Sequence, residues 1–298
     1  MMNGFNHDWE RAVTVLFGPI FLTTIAMVAF AANSLLNRSA LGGGLIDAAS
    51  FTSVRMISGA AVLGLIVLIR RNPAVKSPDI VFENGLRSVS LFCYMVFFSF
   101  AYVSLNAGTG ALILFAVVQF TMFAVAIKNG ERYTVLAWSG LIMAVGGLVY
   151  LLFPGVTAPD PVGALLMTIS GLSWGVYSLL GKSSNDPLAI TSRSFIYAVP
   201  LVVVVSLWFW PDRLINQNGI ILAIISGAVT SGCGYAIWYK ALKHLSQGQA
   251  ATVQLTVPAI AALGGVVMLA EPLTWRLALA TIITLGGVAL VLVGRRHQ

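Results

Sequence analysis

Residues 248–292 read GQAATVQLTVPAIAALGGVVMLAEPLTWRLALATIITLGGVALVL, and residues 108–152 read GTGALILFAVVQFTMFAVAIKNGERYTVLAWSGLIMAVGGLVYLL. The two align at a constant offset of 140 residues without a gap. Gly108 matches Gly248, Val117 matches Val257, Glu131 matches Glu271, Thr134 matches Thr274, and Gly146-Gly147 matches Gly286-Gly287. The register continues backwards through Leu105 and Leu245, Ala101 and Ala241, and Cys93 and Cys233. Single pairs prove little; the shared register carries the reading. The chain is a duplicated apolar unit, and internal duplication in an apolar chain is a mark of secondary transporters.

Working outward, 58 % of the residues are hydrophobic and 9 % charged, where a soluble domain carries about a quarter charged residues. Ten segments of about 20 apolar residues follow one another: 16–36, 48–69, 86–105, 108–127, 133–153, 162–181, 188–209, 220–240, 249–269 and 273–293. Each is bounded by Gly, Pro, Asn or charge. In lipid only helices and closed barrels satisfy the backbone, and barrel strands alternate in polarity. The expected fold is therefore an all-α integral membrane protein of ten transmembrane helices. Five helices per half is an odd number, so the second half must sit inverted relative to the first. The first repeat spans 1–153 and the second 160–298, joined by the Pro- and Gly-rich residues 154–161 within one bundle.

The net charge of +7 does not call for a nucleic-acid partner once the basic residues are placed. With a cytoplasmic N-terminus, Arg11, Arg70, Arg71, Lys76, Lys128, Arg132, Lys182, Lys240, Lys243, Arg295 and Arg296 fall inside, and only Arg38, Arg213 and Arg276 outside. That asymmetry is the positive-inside rule, with both termini cytoplasmic. The first apolar run is expected to be uncleaved, although Ala29-Phe30-Ala31 has a small-x-small form, because Asp8 and Glu10 precede it where a signal peptide is basic. Two cysteines within spans give neither a disulfide framework nor a metal motif, and no cofactor is expected.

Gly248-x-Ala250-Ala251, Thr256-Val257-Pro258-Ala259-Ile260, Leu269-Ala270-Glu271-Pro272-Leu273-Thr274 and Gly286-Gly287-Val288 resemble the second EamA domain of the drug/metabolite transporter superfamily. Ser173-Trp174-Gly175-x-Tyr177 resembles the sixth helix of that family. The first half departs from it, with Val118 opposite Pro258 and Arg132 opposite Pro272. The resemblance implies a ten-helix transporter of small metabolites in a bacterial inner membrane. In size and aromatic content it is most similar to the aromatic amino-acid exporters.

All acidic residues lie in loops or at helix ends of the predicted spans, and the three histidines are peripheral. Ion-coupled carriers usually keep a titratable group in the pathway, so a facilitator is expected, with Glu83 the first residue to suspect should coupling exist. The same inventory leaves no base to activate a buried Ser or Thr, which argues against an enzyme. A proton-coupled exporter of apolar drugs and, further off, a non-transporting membrane sensor are the alternatives.

Candidate substrate-binding residues are those that share helical faces. Trp174, Tyr177 and Ser178 do so with Ser170 in helix six, Tyr94 and Phe98 in helix three, and Phe115 and Gln119 with Met122 in helix four. Gln254 precedes Pro258 in helix nine, and helix eight carries Tyr235, Trp238 and Tyr239. The glutamines should turn inward, since an amide facing lipid is costly. Trp238 and Tyr239 fit a lipid-interface belt as well as a gate. Arg55 and Arg193 form a pseudo-symmetric pair that either meets a substrate carboxylate at each mouth or snorkels to headgroups. Asn33 and Asn37 face inward or bond a neighbouring helix. Glu131 and Glu271 are expected to cap the helices that follow them. Gly140, Ala144 and Gly147, with Ala280, Thr284 and Gly287, mark helices five and ten as peripheral struts or as a homodimer contact. The expected partners are a small-molecule substrate and the lipid bilayer.

Overall fold

The computed structural model describes residues 2–70, 81–181, 186–245 and 247–294. The side chains of Arg11 and Glu83, and residues Arg71, Lys76, Lys182, Arg295 and Arg296, lie outside the described residues. Helices run in the order α1 (Met2–Gly42), α2 (Ala48–Arg70), α3 (Val81–Ala101), α4 (Ala107–Lys128), α5 (Val135–Leu152), α6 (Pro161–Gly181) and α7 (Pro187–Trp208). Then come α8 (Gln217–Ile224), α9 (Gly234–Leu242), α10 (Gln247–Gln254), α11 (Thr256–Leu269) and α12 (Trp275–Val293). Ten helical spans result, because α8 and α9 are joined by the π-helical Ile225–Cys233 and α10 passes into α11 at Leu255. Among the described residues nine spans are long and apolar enough to cross a membrane; α3, which carries Asn84 and Arg87, is the tenth. The one β-type pairing described is an isolated bridge between Ile46 and Ile215.

The helix starts follow from local chemistry. Thr134 Oγ1 accepts from Ala137 N and Thr274 Oγ1 from Leu277 N, so the two threonines cap α5 and α12. Asp186 caps α7, with Pro187 at its first position, and Asp160 Oδ2 accepts from Gly163 N in α6. Glu271 does other work, which corrects the expectation that it caps the helix after it. Glu131 accepts from the Tyr133 hydroxyl. Glu271 reaches across the bundle to α4.

Helices of the two halves pack on one another in exchangeable pairs. α3 packs on α6 as α1 packs on the 217–242 span, and α4 lies on α6 as α1 lies on α11. α2 and α7 run antiparallel, since Ser53 Oγ donates to Val202 O and Ala49 O accepts from Ser206, while Gly59 lies against the Phe195 ring. α5 and α12 are also antiparallel. A Cβ on Gly140 would meet Gly287 O at 2.6 Å, and one on Gly287 would meet Ala144 N at 2.5 Å. Both glycines are thus required by a backbone-to-backbone crossing. The small faces are spent on each other inside one chain.

The core between the halves holds polar side chains, several of them bonded across helices. Asn33 Oδ1 accepts from Ser226 Oγ at 2.9 Å and Thr230 Oγ1 at 2.6 Å, and Asn37 Oδ1 accepts from Ser99 Oγ at 3.0 Å. Asn37 realises the interhelical reading, and Asn33 both bonds a neighbouring helix and faces the recess described below. The hydroxyls on Asn33 come from the π-helical stretch, which sets Ser226, Thr230 and Ser231 against α1 and α2, while Ser99 stands on α3; such stretches recur at functional sites.

Candidate functional site

One end of the bundle is closed and the other opens into a cavity of about 580 Å³. At the closed end Arg38 Nε lies 3.0 Å from Glu271 Oε1, and Glu271 Oε2 accepts from Ala107 N at 2.9 Å. Arg38 Nη1 adds a bond to Val103 O at 3.1 Å. Glu271 therefore ties α1, the start of α4 and the end of α11 together. It does so with a charge-assisted bond and an N-terminal cap that Asn106 does not provide. Ala270, just before it, takes the left-handed φ of 52°, a conformation that costs a non-glycine residue about 1–2 kcal/mol and that Glu271's contacts hold in place. Arg276 bonds Phe153 O and Asp47 accepts from Leu214 N at the same end.

The cavity enters at the opposite end, between Asn129 and Glu131, Gly181 and Pro187, and Leu242 and Leu245. Lys128, Arg132, Lys240 and Lys243 neighbour these residues in the chain. Its wall is an aromatic ladder. Trp174 stacks on Tyr235 (centroids 5.5 Å, planes at 20°) and on Tyr177 (5.3 Å, 28°), and Tyr235 continues to Tyr239. These rings converge because Trp174 and Tyr177 sit three apart on α6, while Tyr235 and Tyr239 sit four apart on α9. Thr191 on α7 fixes the phenols, bonding Tyr177 Oη at 3.0 Å and Tyr239 Oη at 2.8 Å. Gln119 and Gln254 supply amides from facing helices, and Gln254 Nε2 donates to Ala250 O. No Asp, Glu, His or Lys is buried among the described side chains.

Of the residues singled out in the sequence, Trp174, Tyr177, Ser178, Gln119, Tyr235, Trp238, Tyr239 and Gln254 line this cavity. Trp238, 8 % exposed, belongs to its wall and not to a lipid-facing belt. Tyr94, Phe98, Phe115 and Asn33 stand deeper, around a recess of about 20 Å³ that shares Phe30, Trp174, Tyr235 and Gln254 with the main cavity. Arg55 and Arg193 correct the expectation of a guanidinium at each mouth. Arg55 is fully buried behind the recess, and Arg193 is half-buried outside the lining of either space.

Residues missed by sequence reasoning are Phe30 on α1, Thr191, the Glu131–Tyr133 mouth, and Val288, Val291 and Leu292 on α12. α12 is thus a cavity wall as well as a strut. Thr191 stood two residues from Arg193 in a polar run, a signal that was available; an apolar wall residue gives none.

A family model for the EamA-like transporter family matches residues 161–293. An uncharacterized protein of Pseudomonas aeruginosa is 47 % identical over 93 % of this chain and 95 % of its own length. The chain belongs to the EamA-like transporter family. It is a multi-pass membrane protein of the drug/metabolite transporter superfamily. An uncharacterized transporter of Archaeoglobus fulgidus is 28 % identical over 82 % of this EamA-like chain and 86 % of its own. The threonine/homoserine exporter RhtA of Escherichia coli is also 28 % identical, over 86 % and 85 % respectively. A solved crystal structure, 20 % identical, matches 91 % of this chain and 97 % of its own with a TM-score of 0.64 and shows a shared fold.

Proposed function

We propose that this chain is an inner-membrane exporter of small amino acids with apolar, above all aromatic, side chains. The observation that carries the reading is the cavity itself: one-ended, about 580 Å³, walled by stacked rings with two neutral amides. A planar or branched apolar side chain gains area burial there plus roughly 0.5–1.5 kcal/mol of ring stacking. The zwitterionic end meets hydroxyls and amides. RhtA, by name a threonine/homoserine exporter, places amino-acid export among the relatives, and the aromatic wall favours larger substrates here.

The mechanism we infer is alternating access between two inverted repeats. Its support is the antiparallel pairing of α2 with α7 and α5 with α12, and the exchangeable packing of the halves. A fold with two equivalent packings can open at either end by rocking about a central site. The end that carries the basic loops faces the cytoplasm, which makes the present arrangement open inward and latched outward by Arg38 and Glu271. The substrate gradient drives flux, because neutral glutamines cannot carry a coupling proton and buried arginine stays charged.

Counterflow in proteoliposomes tests the reading. Labelled phenylalanine, tryptophan and leucine should exchange, threonine and homoserine more slowly, and exchange should persist when proton and sodium gradients are collapsed. Absence of exchange for every amino acid would overturn the substrate class. Uphill uptake driven by an imposed pH gradient would overturn the facilitator, and Glu131 at the cavity mouth would be the group to substitute first.

A further inference from the structure

Arg55 is the largest fully buried side chain among the described residues, with no exposed surface, and it has no carboxylate partner. Glu271 is taken by Arg38. The contacts Arg55 does make are neutral and long. Nε and Nη2 each lie 3.4 Å from Ser231 Oγ, Nη2 lies 3.5 Å from Tyr94 Oη, and Nη1 has no partner. Its Cζ stands 5.1 Å from the Phe98 ring centroid and 5.8 Å from that of Tyr94. These ring contacts offset part of the cost of burial. They do not neutralise the charge, which an arginine cannot shed by deprotonation. A buried charge without a counterion is costly, and Tyr94 and Phe98, which touch it, also line the recess at the cavity floor.

We propose that Arg55 holds the carboxylate of the transported molecule at the floor of the cavity, with the Tyr94 hydroxyl as the second donor. This rests on reading the cavity as the transport site and adds to it the chemistry that selects the cargo. The cargo must carry one negative charge. A single guanidinium amid rings and hydroxyls balances a monoanion, whereas a phosphate dianion would leave net negative charge in apolar surroundings. A cationic drug or an amine without a carboxylate would meet Arg55 as a like charge. In the bound state the glutamine amide oxygens accept the cargo's ammonium, and its apolar side chain lies on the aromatic ladder.

The test uses the full chain in detergent and in liposomes. Binding of phenylacetate, a carboxylate without an amine, is followed through tryptophan fluorescence. Wild type should bind it at least about tenfold more tightly than phenethylamine or phenylalaninamide, the scale of one charge-assisted hydrogen bond. Arg55→Gln should lose that preference, and Arg55→Lys should keep part of it. Ligand-free Arg55→Gln should melt at or above the wild-type temperature, because an uncompensated buried charge is removed. Equal binding of acid and amide by wild type overturns the proposal. So does an Arg55→Gln variant that melts far below wild type, since that makes the arginine a structural prop. Carboxylate preference in binding together with no amino-acid counterflow would uphold Arg55 as the anion site and sink the exporter reading instead.

Discussion

The two ends of the bundle are built from matched residues and differ in state. At the closed end Ala270 is left-handed with φ 52°, and Glu271 is clamped by Arg38 and the α4 N-terminus. At the open end, 140 residues earlier, Gly130 is left-handed with φ 85°, and Glu131 accepts from Tyr133 beside the cavity mouth. Both glutamates leave a helix end through the same kind of turn. Glu271 spans helices. The same local sequence device thus makes a latch where a cationic partner from α1 is within reach and a rim where the bundle has parted. The difference comes from tertiary contact, not from the turn.

The largest expected effect is on the latch. Glu271→Gln removes the ion pair and weakens the α4 cap, on the order of 2–3 kcal/mol for bonds to a charged acceptor. Counterflow should fall by about tenfold or more, and a cysteine introduced at Ala107 should become reactive to an impermeant thiol reagent. Unchanged labelling and flux would remove the latch from the mechanism. Next comes Trp174→Ala, which takes out the central ring of the ladder. It should lower exchange of aromatic substrates by roughly tenfold, from lost stacking of about 0.5–1.5 kcal/mol plus lost area, with normal elution on size exclusion. Trp138→Ala, on an exposed face of α5, should change exchange by less than about twofold.

Glu131→Gln should matter less than Glu271→Gln, because Glu271 ties α1, α4 and the end of α11 together. Thermal stability within about 0.5 kcal/mol of wild type is expected, and a loss as large as that of Glu271→Gln would show that the open end is latched too. The paired turn variants read backbone strain alone. Gly130→Ala meets no neighbouring atom and should cost about 1 kcal/mol of backbone strain, and Ala270→Gly should return about 0.5–1 kcal/mol by releasing it. Melting temperatures that move in the same direction would show that the two turns are not equivalent.

Much of the ladder was legible because aromatic and polar residues recur at helical spacing. Trp174 and Tyr177 on α6 lie amid serines, which favoured a cavity, while Tyr239 on α9 fitted a lipid-interface belt as well as a gate. Glu271 was misread for an equally physical reason. A carboxylate three residues before a capping threonine looks like part of that cap, and nothing in the sequence places Ala107 N or Arg38 beside it. Arg55 was legible as unusual, being a cation inside an apolar run. Its depth was not, because the π-helical stretch that brings Ser231 to it has no sequence signature read here.

The sequence by itself determined that the chain is a series of long apolar helices, and it marked the small faces of α5 and α12. These depend on hydropathy length, helical period and residue size, which are local properties. The tertiary structure decided which end is shut, which polar side chains spend themselves on helix pairing, and which charge is left without a partner. Those outcomes depend on atoms far apart in the chain meeting in a medium where every unpaired polar group is costly.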